Sequence, residues 1–409
     1  MNKFNNLEVL APAGDSERFY SAINYGADAV YLGAKSFGMR ASPDNFTFDE
    51  LKTAVDYAHS KNVKVYLTCN TLPRNSEIPE FQSFIKNAEA CNVDAVIVAD
   101  LGLLSLVKQY LPDMEVHMST QTGIVNYATA NQLYNMGVKR AVLARELSLD
   151  EIAEIRAKIP KDMEIEVFVH GAMCVSFSGR CLLSSYLVNR DANRGECAQP
   201  CRWGYHLMEE KREGQYFPIF EDEKGTYILN AKDLCMINHI EKLADAGVTS
   251  LKIEGRAKSA YYVSVVTNVY RMAVDWHKAH PTEQLPEWIA QEVFKVSHRK
   301  YCTGFFFGHP KDCQYYETGG YIRNYDVVAV IDKCENGVVY ATQRNRFFAG
   351  DELEIFSPGS KPVIVKPEKI YNDNGEEIVS VNHAMMRFSF ECNTDFPVNS
   401  IIRKNLSVK

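Results

Sequence analysis

The sequence predicts an α/β chain: a (βα)8 TIM-like barrel with a long insertion after its seventh strand, followed by a small antiparallel β-barrel domain. Three observations predict it. One phrase recurs, as Gly26-Ala-Asp-Ala-Val-Tyr-Leu-Gly33, Asn92-Val-Asp-Ala-Val-Ile-Val-Ala-Asp100, Gly137-Val-Lys-Arg-Ala-Val-Leu-Ala144 and Gly247-Val-Thr-Ser-Leu-Lys-Ile-Glu254. In each, a glycine or asparagine ends a helix in the left-handed conformation, and a β-branched run follows that suits a strand buried on both faces. Beyond Asp326 the pattern changes to alternating runs, Val327-Val-Ala-Val-Ile331, Gly337-Val-Val-Tyr-Ala341 and Glu352-Leu-Glu-Ile-Phe356, broken by turns at Glu335-Asn-Gly337 and Asn372-Asp-Asn-Gly375. Finally, no Gly-x-Gly-x-x-Gly follows the first strand, so an open dinucleotide-binding sheet loses its main support.

Taken in order, the apolar runs place strands near 7–11, 28–33, 63–69, 94–99, 114–118, 139–144, 164–169 and 249–254. Amphipathic helical patterns lie between them. Their starts are marked by Asp15 or Ser16 before Phe19, Ala22 and Ile23, by Thr47 with Glu50, and by Ser148 with Glu151, the last two as capping boxes. The connection over 170–248 far exceeds an ordinary βα loop, and long ordered loops tend to be functional. We therefore expect a barrel over 1–280, a linker over 281–325 around Pro281 and Pro286, and the second domain over 326–409. A chain of 409 residues is long enough for that partition.

Composition bounds the setting. The cysteine count, 11, is odd, the N-terminus lacks a positive region followed by an apolar run, and no apolar stretch is long enough for a bilayer. A cytoplasmic protein with reduced thiols and no membrane association is expected. The net charge of −7 argues against a uniform coat for nucleic acid, but local basic surface can still dominate where a partner docks.

In a barrel of this kind, the residues just past each strand gather at one mouth, where catalytic groups sit. The candidates there are Arg40, Asn70, His117, Gln121, Arg145, His170, Glu254 and Arg256. The cations and histidines among them suit a small carboxylate-bearing ligand through charge-assisted hydrogen bonds. The long connection holds Cys174, Cys181, Cys197 and Cys201, with Arg180, Arg190, Arg194 and Arg202 as candidate RNA contacts. It also holds Trp203, Tyr205 and Phe217-Pro-Ile-Phe220, aromatics able either to stack on bases or to form a small subcore under the loop.

Four neighbouring thiols point to shared ligation of a soft centre, an iron–sulfur cluster before zinc. Such a centre can transfer electrons, bind substrate at an open iron, or only brace the loop. Cys235 is a fifth candidate ligand or a buried helical thiol. Hydrolytic machinery is not visible: there is no His-Glu-x-x-His and no Gly-x-Ser-x-Gly. A cysteine nucleophile beside His170 is conceivable from the residues alone. Gly204 occupies the place of the third cysteine in the radical-enzyme spacing begun by Cys197 and Cys201.

The string Glu166-Val-Phe-Val-His-Gly-Ala-Met-Cys174, with Ser178-Gly-Arg-Cys181-Leu-Leu-Ser184, resembles the signature of the U32 peptidase-like family. Leu10-Ala-Pro-Ala-Gly14, His117-Met-Ser-Thr-Gln121, Lys232-Asp-Leu234 and Leu251-Lys-Ile-Glu-Gly-Arg256 extend the resemblance across the barrel. Arg145-Glu-Leu-Ser148, Cys197-Ala-Gln-Pro-Cys201-Arg-Trp203 and Phe220-Glu-Asp-Glu-Lys-Gly-Thr-Tyr227 look most like its tRNA uridine 5-hydroxylation branch. That resemblance implies hydroxylation at carbon 5 of wobble uridine, a 4Fe-4S cluster on Cys174, Cys181, Cys197 and Cys201 with zinc as a possible substitute, and prephenate as a required small molecule. A related quinone-hydroxylation branch implies a fourth ligand near Cys235 instead. The implied partners are a tRNA anticodon arm, a small dicarboxylate and an accessory protein of the same family. Catalytic proton-transfer residues are not assigned. The alternatives are a collagenase-like peptidase and an RNA-binding chaperone whose cluster is a brace.

Overall fold

The computed structural model describes residues 3–5, 7–38, 45–174, 181, 183–188, 190, 196–202, 220–222, 225–227, 231–308 and 321–407. Seven parallel strands follow one another around a ring: β1 (Glu8–Pro12), β2 (Ala29–Gly33), β3 (Lys64–Cys69), β4 (Ala95–Val98), β5 (Glu115–Met118), β6 (Arg140–Val142) and β7 (Glu164–Ala172). Between β7 and the closing strand come the short strands β8 (Phe220–Asp222), β9 (Gly225–Tyr227) and β10 (Asp233–Cys235). β11 (Ser250–Ile253) then pairs in parallel with both β7 and β1, so the eight-stranded barrel is closed.

The helices α1 (Ser16–Asn24), α2 (Phe48–Ser60), α3 (Ile78–Ala90), α4 (Leu101–Tyr110), α5 (Tyr127–Asn135) and α6 (Leu149–Lys158) alternate with the first seven strands. α7 (Leu183–Val188) and α8 (Ile240–Asp245) belong to the long connection, and α9 (Ala260–Ala279) follows β11. The local signals act as expected. Asp15 accepts from the Arg18 amide, and both Thr47–Glu50 and Ser148–Glu151 form complete capping boxes. Gly26, Asn92, Gly137 and Gly247 all have positive φ, which turns the chain sharply from helix end into strand.

β7 runs further than its apolar pattern suggests, because β10 pairs antiparallel with its end, Cys235 opposite His170 and Asp233 opposite Ala172. β10 in turn pairs with β12 (Tyr301–Cys302), and α10 (Glu287–Gln291) precedes β12. The segment expected as a linker thus buries Ile289, Val293 and Val296 in the barrel's hydrophobic core.

The second domain is an antiparallel sheet in the order β17 (Val363–Val365), β16 (Leu353–Phe356), β22 (Ile401–Asn405), β13 (Tyr325–Glu335), β14 (Val338–Gln343), β21 (Arg387–Glu391), β18 (Ile370–Asn372) and β19 (Glu377–Ile378). β15 (Phe347–Phe348) pairs with β20 (Ser380–Val381) beside it. The curled sheet is a half-barrel around Val339, Leu353, Ile370, Phe388 and Phe390.

The two domains share a desolvated seam. Tyr25 stacks on Phe356 with ring centroids 5.4 Å apart and donates its hydroxyl to the Phe356 and Asn399 carbonyls. Arg403, wholly buried, places Nη2 2.6 Å from Glu292 Oε2 and 2.7 Å from Glu354 Oε2. Phe356 and Ile401 belong to the same apolar cluster as the barrel helices. Among the described residues, no helix is long and apolar enough to cross a membrane.

Candidate functional site

Beneath the mouth, the barrel interior carries a buried ionic layer. Arg140, at the start of β6, donates from Nη1 to Glu8 Oε1 at 2.7 Å and to Glu166 Oε2 at 3.1 Å, and from Nε to Glu164 Oε2 at 2.7 Å. Tyr66 and Ser250 also donate to Glu8, at 2.6 and 2.7 Å. Burial alone raises the Glu8 carboxyl, but the charge and hydrogen bonds of Arg140 outweigh it and hold the group at about 2. Glu166 is likewise penalised by burial yet held below its ordinary value by Lys252 and Arg140. Lys252 Nζ lies 2.6 Å from Glu166 Oε1 and 4.5 Å from the centre of the Tyr31 ring. These strand-borne charges were not anticipated, although they sit at alternating positions in strands that are otherwise apolar, a signal that reading the strands as buried on both faces leaves unexplained.

Above this layer a cleft of about 1280 Å³ opens at the C-terminal ends of the strands. Its floor and wall take Tyr31, Lys252 and Phe168 from inside the barrel and Asn70, Gln121, Arg145, Glu254 and Arg256 from the loops that follow the strands. Arg145 lies over Phe168 at 3.9 Å and donates from Nη1 to the Ala172 carbonyl at 2.9 Å; its buried Nε has no hydrogen-bond partner among the described residues. Arg256 crosses the barrel top to donate to Asn45 Oδ1 at 2.7 Å and Thr68 Oγ1 at 3.3 Å. Two glycines make these approaches possible. A Cβ on Gly33 would stand 2.5 Å from Arg256 Nη2, and one on Gly171, at φ +106, would stand 2.5 Å from the Glu254 carbonyl oxygen. We therefore expect Gly171→Ala to lower stability by about 1 kcal/mol or more and to displace Glu254, with a fall in melting temperature as the check.

Cys174, Cys181, Cys197 and Cys201 all line this same cleft. Cys174 lies two residues past the end of β7, while Cys201 lies in a single helical turn, Pro200–Arg202. Gln199 adopts a left-handed conformation (φ 57) and its amide donates to Cys197 Sγ at 3.3 Å. Ser184 of α7 donates to the same sulfur at 3.9 Å and accepts from the Ala198 amide at 2.9 Å. Donors of this kind stabilise thiolate charge and tune the centre that a sulfur holds.

The four thiols are soft donors, a set whose chemistry suits an iron–sulfur cluster or zinc. Zinc–sulfur bonds of about 2.3 Å in a tetrahedron bring sulfurs to within roughly 4 Å of one another. Among the described residues, the set of three His, Cys, Asp or Glu whose ligand atoms fall within 4.8 Å is Glu115, His117 and Glu164, and the cysteines form no such set. That set lies at the opposite end of the barrel, where Arg140 already holds Glu164.

Of the candidate mouth residues, Asn70, Gln121, Arg145, Glu254 and Arg256 come together at the cleft, and Arg190 joins them from the cysteine segment. The two histidines do not. His117 points into the barrel, wholly buried, with Nε2 2.8 Å from Glu115 Oε1 and its ring edge-on to Tyr66; burial first, then Arg140, push its pKa far down. His170 lies within β7 behind the cleft wall, between the hydroxyls of Tyr270 (3.5 Å) and Tyr301 (3.3 Å), and burial takes it to about 3. Cys235 is in strand β10 rather than a helix, outside the cleft lining, and burial raises its thiol to about 12. Arg40, Arg180 and Arg194 lie outside the described residues, as do Trp203, Tyr205 and 217–219, and for Arg202 only the backbone is described.

Comparison with known proteins gives two family matches: Peptidase family U32 over residues 14–315, and the Peptidase family U32 C-terminal domain over residues 323–403. The "tRNA hydroxylation protein P1" of Bacillus subtilis (strain 168) is 36% identical over 402 residues, covering 97% of this chain and 94% of that protein. The "tRNA hydroxylation protein P" of Escherichia coli (strain K12) is 37% identical, covering 86% of each. A "Collagenase" of Porphyromonas gingivalis (strain ATCC BAA-308 / W83) is 33% identical over 90% of each chain.

Proposed function

The chain belongs to peptidase family U32, and we propose that it hydroxylates tRNA at carbon 5 of the wobble uridine. The observation that carries this reading is the meeting of four thiols and the barrel mouth in one cleft, in a chain aligned almost end to end with proteins named for tRNA hydroxylation. Cys174, Cys181, Cys197 and Cys201 would hold a 4Fe-4S cluster, which supplies one-electron chemistry when bound.

The chain's own residues supply binding and orientation. Arg145, Lys252 and Arg256 present three cations toward the floor and wall of the cleft, which suits the two carboxylates of a prephenate-class molecule. Asn70, Gln121 and Glu254 offer donors and acceptors at the height where an extruded base would enter, and a flipped base is commonly read through its Watson–Crick edge. Tyr31 and Phe168 supply aromatic faces in the floor beside Lys252.

The peptidase reading has the family name and the collagenase relative behind it. It needs a base beside a nucleophile. The described cleft lining contains no histidine, and His117 and His170 are both buried away from it. The test is complementation of a host that lacks its own tRNA hydroxylation proteins, with nucleosides from bulk tRNA resolved by mass. The reading expects 5-hydroxyuridine derivatives to return; their continued absence from a host making folded protein contradicts it.

A further inference from the structure

We propose that the cleft continues as a track for the RNA backbone across both domains, and that Arg323 and Arg344 of the second domain hold phosphates of the substrate. This rests on the reading above and adds a docking surface to it. The observation is a segregation of charge. The chain as a whole has more acids than bases, 52 against 45, and a net charge of −7. The described cleft lining reverses this, with eight arginines and lysines against two glutamates. A concave surface of one sign with low-dielectric walls focuses its field outward and draws a polyanion.

The inner cations belong to the barrel mouth and the cysteine segment. The others come from α1 (Arg18), from the loop between β11 and α9 (Lys258), and from just before β13 and just after β14 of the half-barrel (Arg323 and Arg344). The Arg323 side chain is 60% exposed and, among the described residues, pairs with Asp326, a surface pair of small worth that a phosphate can readily replace. Arg344 is exposed at the end of β14, where its Nη1 contacts Met385 Sδ at 2.9 Å. Neither arginine takes part in either domain's core.

The two banks meet through the Tyr25–Phe356 stack, the buried Arg403 with its two glutamates, and the Gly359 amide bonded to Asn268 Oδ1 at 2.8 Å. A groove formed before its ligand arrives lowers the ordering cost of binding. Cations from both domains in one cleft suit a polyanion long enough to reach across them, and the tRNA of the reading above is such a polyanion.

The test uses the full-length, anaerobically prepared protein and measures binding of unmodified tRNA against salt concentration, for the wild type and for Arg323→Gln/Arg344→Gln. If each arginine neutralises one phosphate, the double variant should bind roughly 25–60-fold more weakly at 0.1 M salt, with a log–log slope shallower by about 1.5. An unchanged melting temperature will show that the fold is kept. A wild type that binds steeply with salt and a double variant that matches it in affinity and slope overturns the proposed track while leaving the proposed activity standing. A wild type that ignores tRNA and binds poly-glutamate instead overturns both.

Discussion

Alanine at Cys174 or Cys201 is expected to abolish tRNA hydroxylation in cells, whereas alanine at Cys235 should leave it within a few-fold of the wild type. Both effects follow from placement. Cys174 and Cys201 line the cleft with Cys181 and Cys197, so each substitution would remove one of the four sulfurs proposed to share a centre. Loss of a supporting residue around a metal centre typically costs 10–100-fold, and loss of a ligand should therefore cost at least on the order of 100-fold. Cys235 stands half-buried in β10 against Tyr270 and His170, with its thiol pushed up to about 12 by desolvation, so it is a neutral group packed against the core. Modified nucleosides in tRNA from complemented cells provide the readout. A dead Cys235→Ala beside an active Cys201→Ala would move the fourth ligand to β10.

Replacing Arg140 by alanine should cost about 3–5 kcal/mol at neutral pH, the largest stability effect expected of a single substitution in this barrel. The change strands Glu8 and Glu166 inside the barrel without their common partner, while Lys252 still holds only Glu166. The pH dependence gives the sign. Glu8 is held at about 2 against an ordinary 4.5, so its contribution to stability is complete above about pH 4.5 and is lost as pH falls toward 2. That shift corresponds to about 3 kcal/mol. In the variant Glu8 keeps its burial but not its cation, so its pKa rises and acid relieves it. The gap in urea midpoint between wild type and Arg140→Ala should therefore be widest near pH 7 and narrow below pH 4.5. A gap that is constant with pH would mean that Arg140 acts by packing alone.

The features legible in the sequence were those set by local physics. Strand positions came from short β-branched runs, helix starts from Asp15, Thr47–Glu50 and Ser148–Glu151, and helix ends from Gly26, Asn92, Gly137 and Gly247, all of which take the backbone conformations their chemistry favours. The gathering of Cys174, Cys181, Cys197 and Cys201 at one cleft was legible because they lie close together in the chain. Non-local pairing was not. His170 reads as the first residue past β7, but β10, more than sixty residues later, extends that strand and carries the histidine into the wall behind the cleft. His117 shares the inward parity of Glu115, which turns it toward Tyr66 and the ionic layer. Lys252 went unread as a cleft residue because a strand buried on both faces was expected to be apolar. The outer bank depends on the docking of Phe356 against Tyr25, a contact between residues 331 positions apart.

The central claim is that four thiols of the long connection hold one polynuclear iron centre in the cleft that receives RNA. Iron and acid-labile sulfide per chain, measured on protein purified without oxygen, test it most directly. About four of each per chain are expected, kept in Cys235→Ser and lost in Cys201→Ser. One zinc per chain with no sulfide, or iron retained in Cys201→Ser and lost in Cys235→Ser, would contradict it.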